Sequence, residues 1–140
     1  MSALIDNLRR ICGDANVLTH DDPSTDLSAW ERDWRKRAQG RALAVVRPAT
    51  VQEVAAVVKA CANTFTSIVP QGGNTGLVVG SVPDASGQQV VLSLQRMNQI
   101  RSVDAANLTV IAEAGCILQN VQEHVDRAGF LFPLSLAAEG

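Results

Sequence analysis

Between Leu43 and Ser81 the chain spells out a strand, a helix, a second strand and a glycine-rich loop, in that order. Leu43 to Val46 is an unbroken apolar run that reads as a buried strand, and Pro48 ends it. Thr50-Val-Gln-Glu53 has the spacing of a capping box, with Thr50 as N-cap and Glu53 reaching back. The helix that follows is expected to line one face with Val51, Val54, Ala55, Val58 and Ala62, and to close at Asn63 or Thr64. Ile68 and Val69 form the next strand, which Pro70 is expected to stop because proline cannot donate to a sheet ladder. Residues 43–69 are thus expected to form a parallel, right-handed strand–helix–strand unit. Ligands of such units gather beyond the carboxyl ends of the strands.

The glycine-rich loop begins at such an end. It runs Pro70-Gln71-Gly72-Gly73-Asn74-Thr75-Gly76 and continues to Gly80 and Ser81. Glycines there permit positive φ and let another group approach the backbone closely. Consecutive free N–H groups make a concave nest that suits an anion, phosphate above all. Asn74, Thr75 and Ser81 add short polar side chains that can bond phosphate oxygens or the loop itself. A plain turn is the competing reading of a glycine cluster. Two familiar phosphate motifs do not fit. The spacing Gly-Gly-x-x-Gly is not the Gly-x-Gly-x-x-Gly that opens a helix, and no lysine follows Gly76.

Composition removes several classes of function. A net charge of −2 without a basic stripe argues against nucleic acid, and the absence of tyrosine argues against stacking on single-stranded bases. Cys12, Cys61 and Cys116 are odd in number and far apart, which indicates reduced thiols in a cytoplasmic protein, not a disulfide frame or a zinc site. Two histidines, His20 and His124, do not make a metal cluster, and Asp21-Asp22 reads as an acidic turn. No apolar span is long enough to cross a membrane. The 140 residues suffice for one modest domain.

Outside the central unit, residues 2–12 read as a helix with Leu4, Ile5, Leu8 and Ile11 on one face and Gly13 as its stop. Val17 to Asp26 reads as a loop. Trp30 to Arg37 alternates in charge and is expected to be exposed and partly helical, with both tryptophans covering the core. Val90 to Leu94 is a further strand. Ile100–Val103 and Leu108–Ala114 form a hairpin across the turn Asp104-Ala-Ala-Asn107. Residues 116–128 read as a helix with Ile117, Leu118, Val121 and Val125 inward and His124 on its polar side. Phe130 to Leu134 is a short apolar strand or extended run.

These motifs, in this order, resemble FAD-linked oxidases of the vanillyl-alcohol-oxidase type, the PCMH-type flavin fold. Pro70-Gln-Gly-Gly-Asn-Thr-Gly76 with Gly80-Ser-Val-Pro83 is similar to the first pyrophosphate loop of that family. Arg47-Pro48 leading into Thr50-Val-Gln-Glu-Val54 resembles its entry, and Val90-Val-Leu-Ser-Leu-Gln-Arg-Met-Asn98, Glu113-Ala-Gly115 and Phe132-Pro-Leu134 are also family-like. Asp33-Trp34 before Gly40 resembles the D-2-hydroxyglutarate and D-lactate dehydrogenase branch. The resemblance implies an α+β fold. Residues 1–42 would be an N-terminal helix and connector, and 43–140 the first part of the FAD-binding domain. That part comprises a small parallel βαβ sheet flanked by helices and the start of a second, antiparallel subdomain, with the remainder expected beyond Gly140. Pro70, Gln71, Gly72, Gly73, Asn74, Thr75, Gly76, Gly80 and Ser81 would hold the FAD pyrophosphate. Pro133, Leu134 and Gly140 would begin a second cofactor contact.

Many covalent flavoproteins of this fold carry histidine after the Gly-Gly pair. Here the position is Asn74, which implies non-covalent FAD, and Cys116 is expected to pack in the core instead of attaching the flavin. The implied parent enzyme oxidises a D-2-hydroxy acid to the 2-oxo acid and passes electrons to an acceptor the residues do not name. The chain by itself is expected to be inactive, with no catalytic base and no metal ligand assigned. Two other readings stand beside this one: a UDP-N-acetylenolpyruvoylglucosamine reductase-like flavoprotein, and a non-catalytic module binding a nucleotide or a protein.

Overall fold

A computed structural model describes residues 2–136. Helix α1 spans Ser2–Cys12 and buries Leu4, Leu8 and Cys12. Gly13 stops it at φ +84°, where its N–H returns to the Arg9 carbonyl at 2.8 Å. After one 3-10 turn comes strand β1, Val17–Leu18. The sequence reads this stretch as loop. Two residues carry no periodic signal, and β1 exists because Val17 and Leu18 pair antiparallel with Val46 and Val45. Helix α2 is a single turn, Ser28–Glu31, and strand β2 is Ala42–Val46.

Helix α3, Val51–Asn63, is capped by Thr50 as expected, while Glu53 reaches one residue further back than a capping box requires. The Thr50 Oγ1 accepts from the Glu53 N–H at 3.1 Å, and Glu53 Oε2 accepts from the Ala49 N–H at 2.7 Å. Its buried stripe is Val57, Ala60 and Cys61 with Val54 beside them; Val51 and Val58 are exposed. The expected face was misphased because valine and alanine ring the helix, and Cys61, a strongly burying residue, decides the stripe.

Strand β3 is Ile68–Gln71, β4 is Gln89–Ser93, β5 is Ile100–Asp104 and β6 is Thr109–Ala112. The main sheet has the order β1-β2-β4-β3, with β4 parallel to both its neighbours. The strand–helix–strand unit is therefore open in its middle: β4 inserts between β2 and β3. Pro70 does not end β3. It pairs with Leu92, and the strand runs on to Gln71. β3 is an edge strand, so the missing proline donor can face outward at no cost to the ladder.

Two apolar layers sandwich this sheet. On one side Ala44, Val46, Val90 and Leu92 meet α1 and α3. On the other Ala42, Val45, Val69 and Val91 meet Leu27, with Trp30 packed against them. A register irregularity between Ala42 and Ala44 is what lets Ala42 and Val45 share a side.

The 30–37 segment differs most from expectation. Trp34 is 57% exposed and only Trp30 covers core, while Glu31 and Asp33 are turned inward. Glu31 Oε1 accepts from the Ala42 N–H and lies 2.7 Å from His20 Nε2. Asp33 accepts from the N–H groups of Arg35, Arg37 and Ala38. The Ala38 N–H, helped by the other two, holds the Asp33 carboxyl below the usual carboxylate range. A depressed native value stabilises the fold above the unfolded value, about pH 4, and that stability is lost as pH falls through the native value. Asp33→Asn should therefore be less stable than the parent near neutrality, with the two converging in acid. Thermal melts from pH 7 to 3 check this; parallel curves would show that the charge contributes nothing.

β5 and β6 form the expected hairpin, closed by Asp104 Oδ1 accepting from the Ala106 and Asn107 N–H groups. Helix α4 is Leu118–Arg127, two residues later than expected at its start. Val121 and Val125 are buried, but Ile117 is 47% exposed. Phe130 to Leu134 forms no strand.

Candidate functional site

The glycine-rich loop leaves the sheet at the carboxyl end of β3 and runs from Gly72 to Ser81. Its base is pinned by the buried Gln71 side chain, whose Nε2 donates to the Trp30 carbonyl at 2.9 Å and the Ser81 carbonyl at 2.7 Å. Asn74 pins its middle. Nδ2 donates to the Ala29 carbonyl at 3.1 Å and the Arg32 carbonyl at 2.8 Å, and Oδ1 accepts from Ser81 Oγ at 2.9 Å. The side chains of Gln71, Asn74 and Ser81 thus hold the loop itself, one of the two roles open to such residues in the sequence.

The loop's backbone does something different. Among the described residues, no N–H from Gly72 to Ser81 donates to a protein acceptor; the first that does is Val82, to the Val79 carbonyl. A row of unspent donors on a fixed loop is what an anion needs. The glycines are not there for left-handed backbone, as the sequence reading expects. The loop's positive φ values fall on Asn74, +54°, and Val79, +65°. Nor does the protein crowd them. A Cβ on Gly72, Gly73 or Gly76 would meet its nearest atom at 3.9–4.0 Å, and one on Gly80 would meet nothing within 4 Å. Neither local strain nor internal packing requires these glycines, so the space they leave is available to a ligand.

At Gly72 and Gly73 that space opens into a cleft of about 560 Å³, whose lining does not include Gly76 or Gly80. Gly72, Gly73 and Thr75 form one wall, the segment Ala114–Leu118 with Asn120 forms the other, and Gln95, Asn98 and Leu136 complete it. No charged side chain lines it. Positive potential comes instead from free loop amides and from the start of α4, which has no side-chain cap. The cleft width is set by Gly115. A Cβ there would lie 1.8 Å from the Leu94 carbonyl oxygen, so the end of β6 crosses the 94–97 turn backbone on backbone. The Gly115 N–H seals the crossing on the Met97 carbonyl at 2.8 Å. Glu113 anchors the same crossing, accepting from the Gln99 N–H at 2.8 Å and from Arg101.

Sequence reasoning missed Gln95, Asn98, Gly115, Leu118 and Asn120 as cleft residues. Gly115 reads as a strand breaker, and Gln95, Asn98 and Gly115 stand inside family-like motifs, but nothing local places them on one cleft. Cys116 is a correction: it was expected in the core, yet it is partly exposed and lines the cleft. Cys12 and Cys61 are buried, and burial pushes the Cys12 thiol up to about 11. Pro70 sits exposed on the edge strand. Pro133 lines a separate apolar groove with Val103, Leu108, Val125 and Phe132. The Leu134 carbonyl is tied to Gln122 Nε2 at 2.6 Å. Gly140 lies outside the described residues. Among the described residues no three potential metal ligands come together, and no helix is long and apolar enough to cross a membrane.

An α+β sheet whose strand-end loop carries unspent amides beside a cleft with no charged lining suits an anionic ligand. The chain belongs to the FAD binding domain family, whose model matches residues 42–139. It is 38% identical over 130 residues to a mitochondrial protein of Schizosaccharomyces pombe with a provisional D-lactate dehydrogenase name, covering 91% of this chain and 24% of that one. It is 36% identical over 132 residues to the mitochondrial D-2-hydroxyglutarate dehydrogenase of Arabidopsis thaliana, covering 94% and 23%. The solved structure of p-cresol methylhydroxylase with substrate bound superposes with a TM-score of 0.68 over 91% of this chain and 25% of that one, at 22% identity. The fold is accordingly the PCMH type, and the chain spans about a quarter of the length of the curated relatives it matches. Those relatives are named mitochondrial, whereas the sequence reading placed this chain in the cytoplasm; reduced thiols suit either compartment.

The residues present fit FAD. Loop residues with unspent amides, Gly72, Gly73 and Thr75, line a cleft that Cβ atoms on the two glycines would narrow, and the helix start favours negative charge.

Proposed function

We propose that this chain supplies the diphosphate-gripping part of an FAD-dependent dehydrogenase that oxidises a D-2-hydroxy acid of the 2-hydroxyglutarate, lactate or glycolate class. The observation that carries the reading is the run of unpartnered N–H groups from Gly72 to Ser81, beside glycines that nothing inside the protein requires. The substrate class is supported by the names of the relatives. When bound, the flavin supplies a hydride acceptor at N5 for the substrate α-carbon. The chain's own residues bind and shield. Amides of Gly72 and Gly73 would bond phosphate oxygens, and Ile117, Leu118 and Leu136 would keep water from the cleft. No catalytic residue is assigned to the chain.

FAD is held without a covalent bond in this reading. Asn74 offers no imidazole, and both its amide hydrogens are already donated. The test uses the protein at the full length its gene encodes. Acid precipitation should leave free flavin in the supernatant, and anaerobic addition of a D-2-hydroxy acid should bleach the flavin absorbance. Flavin that stays with the precipitate overturns the non-covalent claim, and its loss in Cys116→Ser would identify the attached residue. Flavin that no D-2-hydroxy acid reduces overturns the substrate class.

A further inference from the structure

The family match begins at residue 42, yet the phosphate loop is fastened to residues that precede it. Three carbonyls of the α2 region, from Ala29, Trp30 and Arg32, each accept a hydrogen bond from the loop side chains Asn74 and Gln71. These carbonyls are fixed points. Glu31 is 4% exposed and accepts from the Ala42 N–H, and Asp33 is 3% exposed and folds the next turn around its carboxylate. The anchor is therefore bolted to β2, and the loop is bolted to the anchor.

From this we infer that Asn74 is a positioning residue: it clamps the loop onto residues 29–32, so that the amides of 72–76 are set before the dinucleotide arrives. The inference rests on the FAD reading and deepens it, because it makes the segment ahead of the matched region part of the cofactor site. The side chain is suited to the task. A carboxamide has two donor hydrogens and an acceptor oxygen, and here both hydrogens and the oxygen are engaged. Asparagine also tolerates the left-handed backbone found at this position, φ +54°. No other side chain combines two donors, one acceptor and that tolerance at so short a length. Without the clamp, a ten-residue loop whose own amides make no internal bonds would have to be ordered by the ligand. Binding then bears the ordering cost that the clamp has already met.

The test compares the full-length protein with Asn74→Gly, which keeps the left-handed backbone but removes all three bonds. Dissociation constants are measured on apoprotein with two probes, FAD and ADP, alongside the melting temperature and thermolysin cutting between Leu77 and Val79. Both dissociation constants should rise by about tenfold or more, as loss of several hydrogen bonds of ordinary strength implies. The melting temperature should fall by no more than a few degrees, and cutting of the apoprotein should accelerate. Equal rises for FAD and ADP place the effect at the adenosine diphosphate portion the two probes share. Unchanged constants with intact wild-type binding overturn the inference, and so does a rise for FAD alone. Should Asn74→Gly fail to fold, Ser81→Ala removes only the bond to Oδ1 and must show a smaller rise in both constants; no rise overturns the clamp. A wild-type protein with affinity for neither probe would instead overturn the FAD reading.

Discussion

Gly73→Val should strip FAD from the full-length protein and leave the fold standing. A Cβ on Gly73 meets nothing nearer than the Thr75 methyl at 3.9 Å, and the residue is not left-handed, so neither backbone strain nor a Cβ clash opposes the substitution. The proposed ligand would not be accommodated. Phosphate oxygens bonded to loop amides would sit about 2.9 Å from the nitrogens, and valine methyls on the same backbone would occupy that shell. Losing one or two hydrogen bonds to a charged group costs about 1.5–3 kcal/mol each, tenfold or more in affinity per bond. The flavin-to-protein absorbance ratio after gel filtration should collapse, while the melting temperature of the apoprotein stays within a few degrees of the parent. Unchanged flavin content would show that Gly73 does not face the cofactor.

Gly115→Ala should act the opposite way, on the fold first. Its new methyl would be placed 1.8 Å from the Leu94 carbonyl oxygen and 2.8 Å from that of Met97. Backbone cannot give way as a side-chain tip can. The hairpin end must lift off the 94–97 turn, losing the Gly115 N–H bond to Met97 and loosening the wall of the cleft. Overpacking of this kind costs about 3 kcal/mol, or on the order of 10 °C in melting temperature for a domain of this size. Gly80→Ala is the control, since the same methyl there meets nothing within 4 Å. Similar melting of both variants would mean that the crossing is not as tight as described. Together with Gly73→Val, the pair separates a glycine kept clear for a ligand from one kept clear for the chain.

Several elements were legible in the residues. The Thr50 cap forms as spaced, with Glu53 reaching back to the Ala49 N–H, the hairpin turns at Asp104-Ala-Ala-Asn107, and Gly13 closes α1. The loop at 70–76 stands at a strand end, and its family resemblance matches the FAD binding domain. What misled was local rules applied without neighbours. Pro70 stops a strand only where both edges are paired, and β3 has a free edge. The charges of Glu31 and Asp33 look solvent-exposed until backbone N–H groups arrive to satisfy them. Glycines in the loop looked like licences for positive φ, a task that fell to Asn74 and Val79.

The chain's own pattern of apolar runs, caps and glycines determined α1, α3, the hairpin and the place of the glycine-rich loop, because those choices depend on residues a few positions apart. Tertiary structure alone decided the order β2–β4–β3, the cleft wall at Gly115, and the fastening of Asn74 to carbonyls 45 and 42 residues away. Such pairings arise only when separate segments are packed face to face, and hydrogen-bond partners brought together that way leave no periodic trace along the chain.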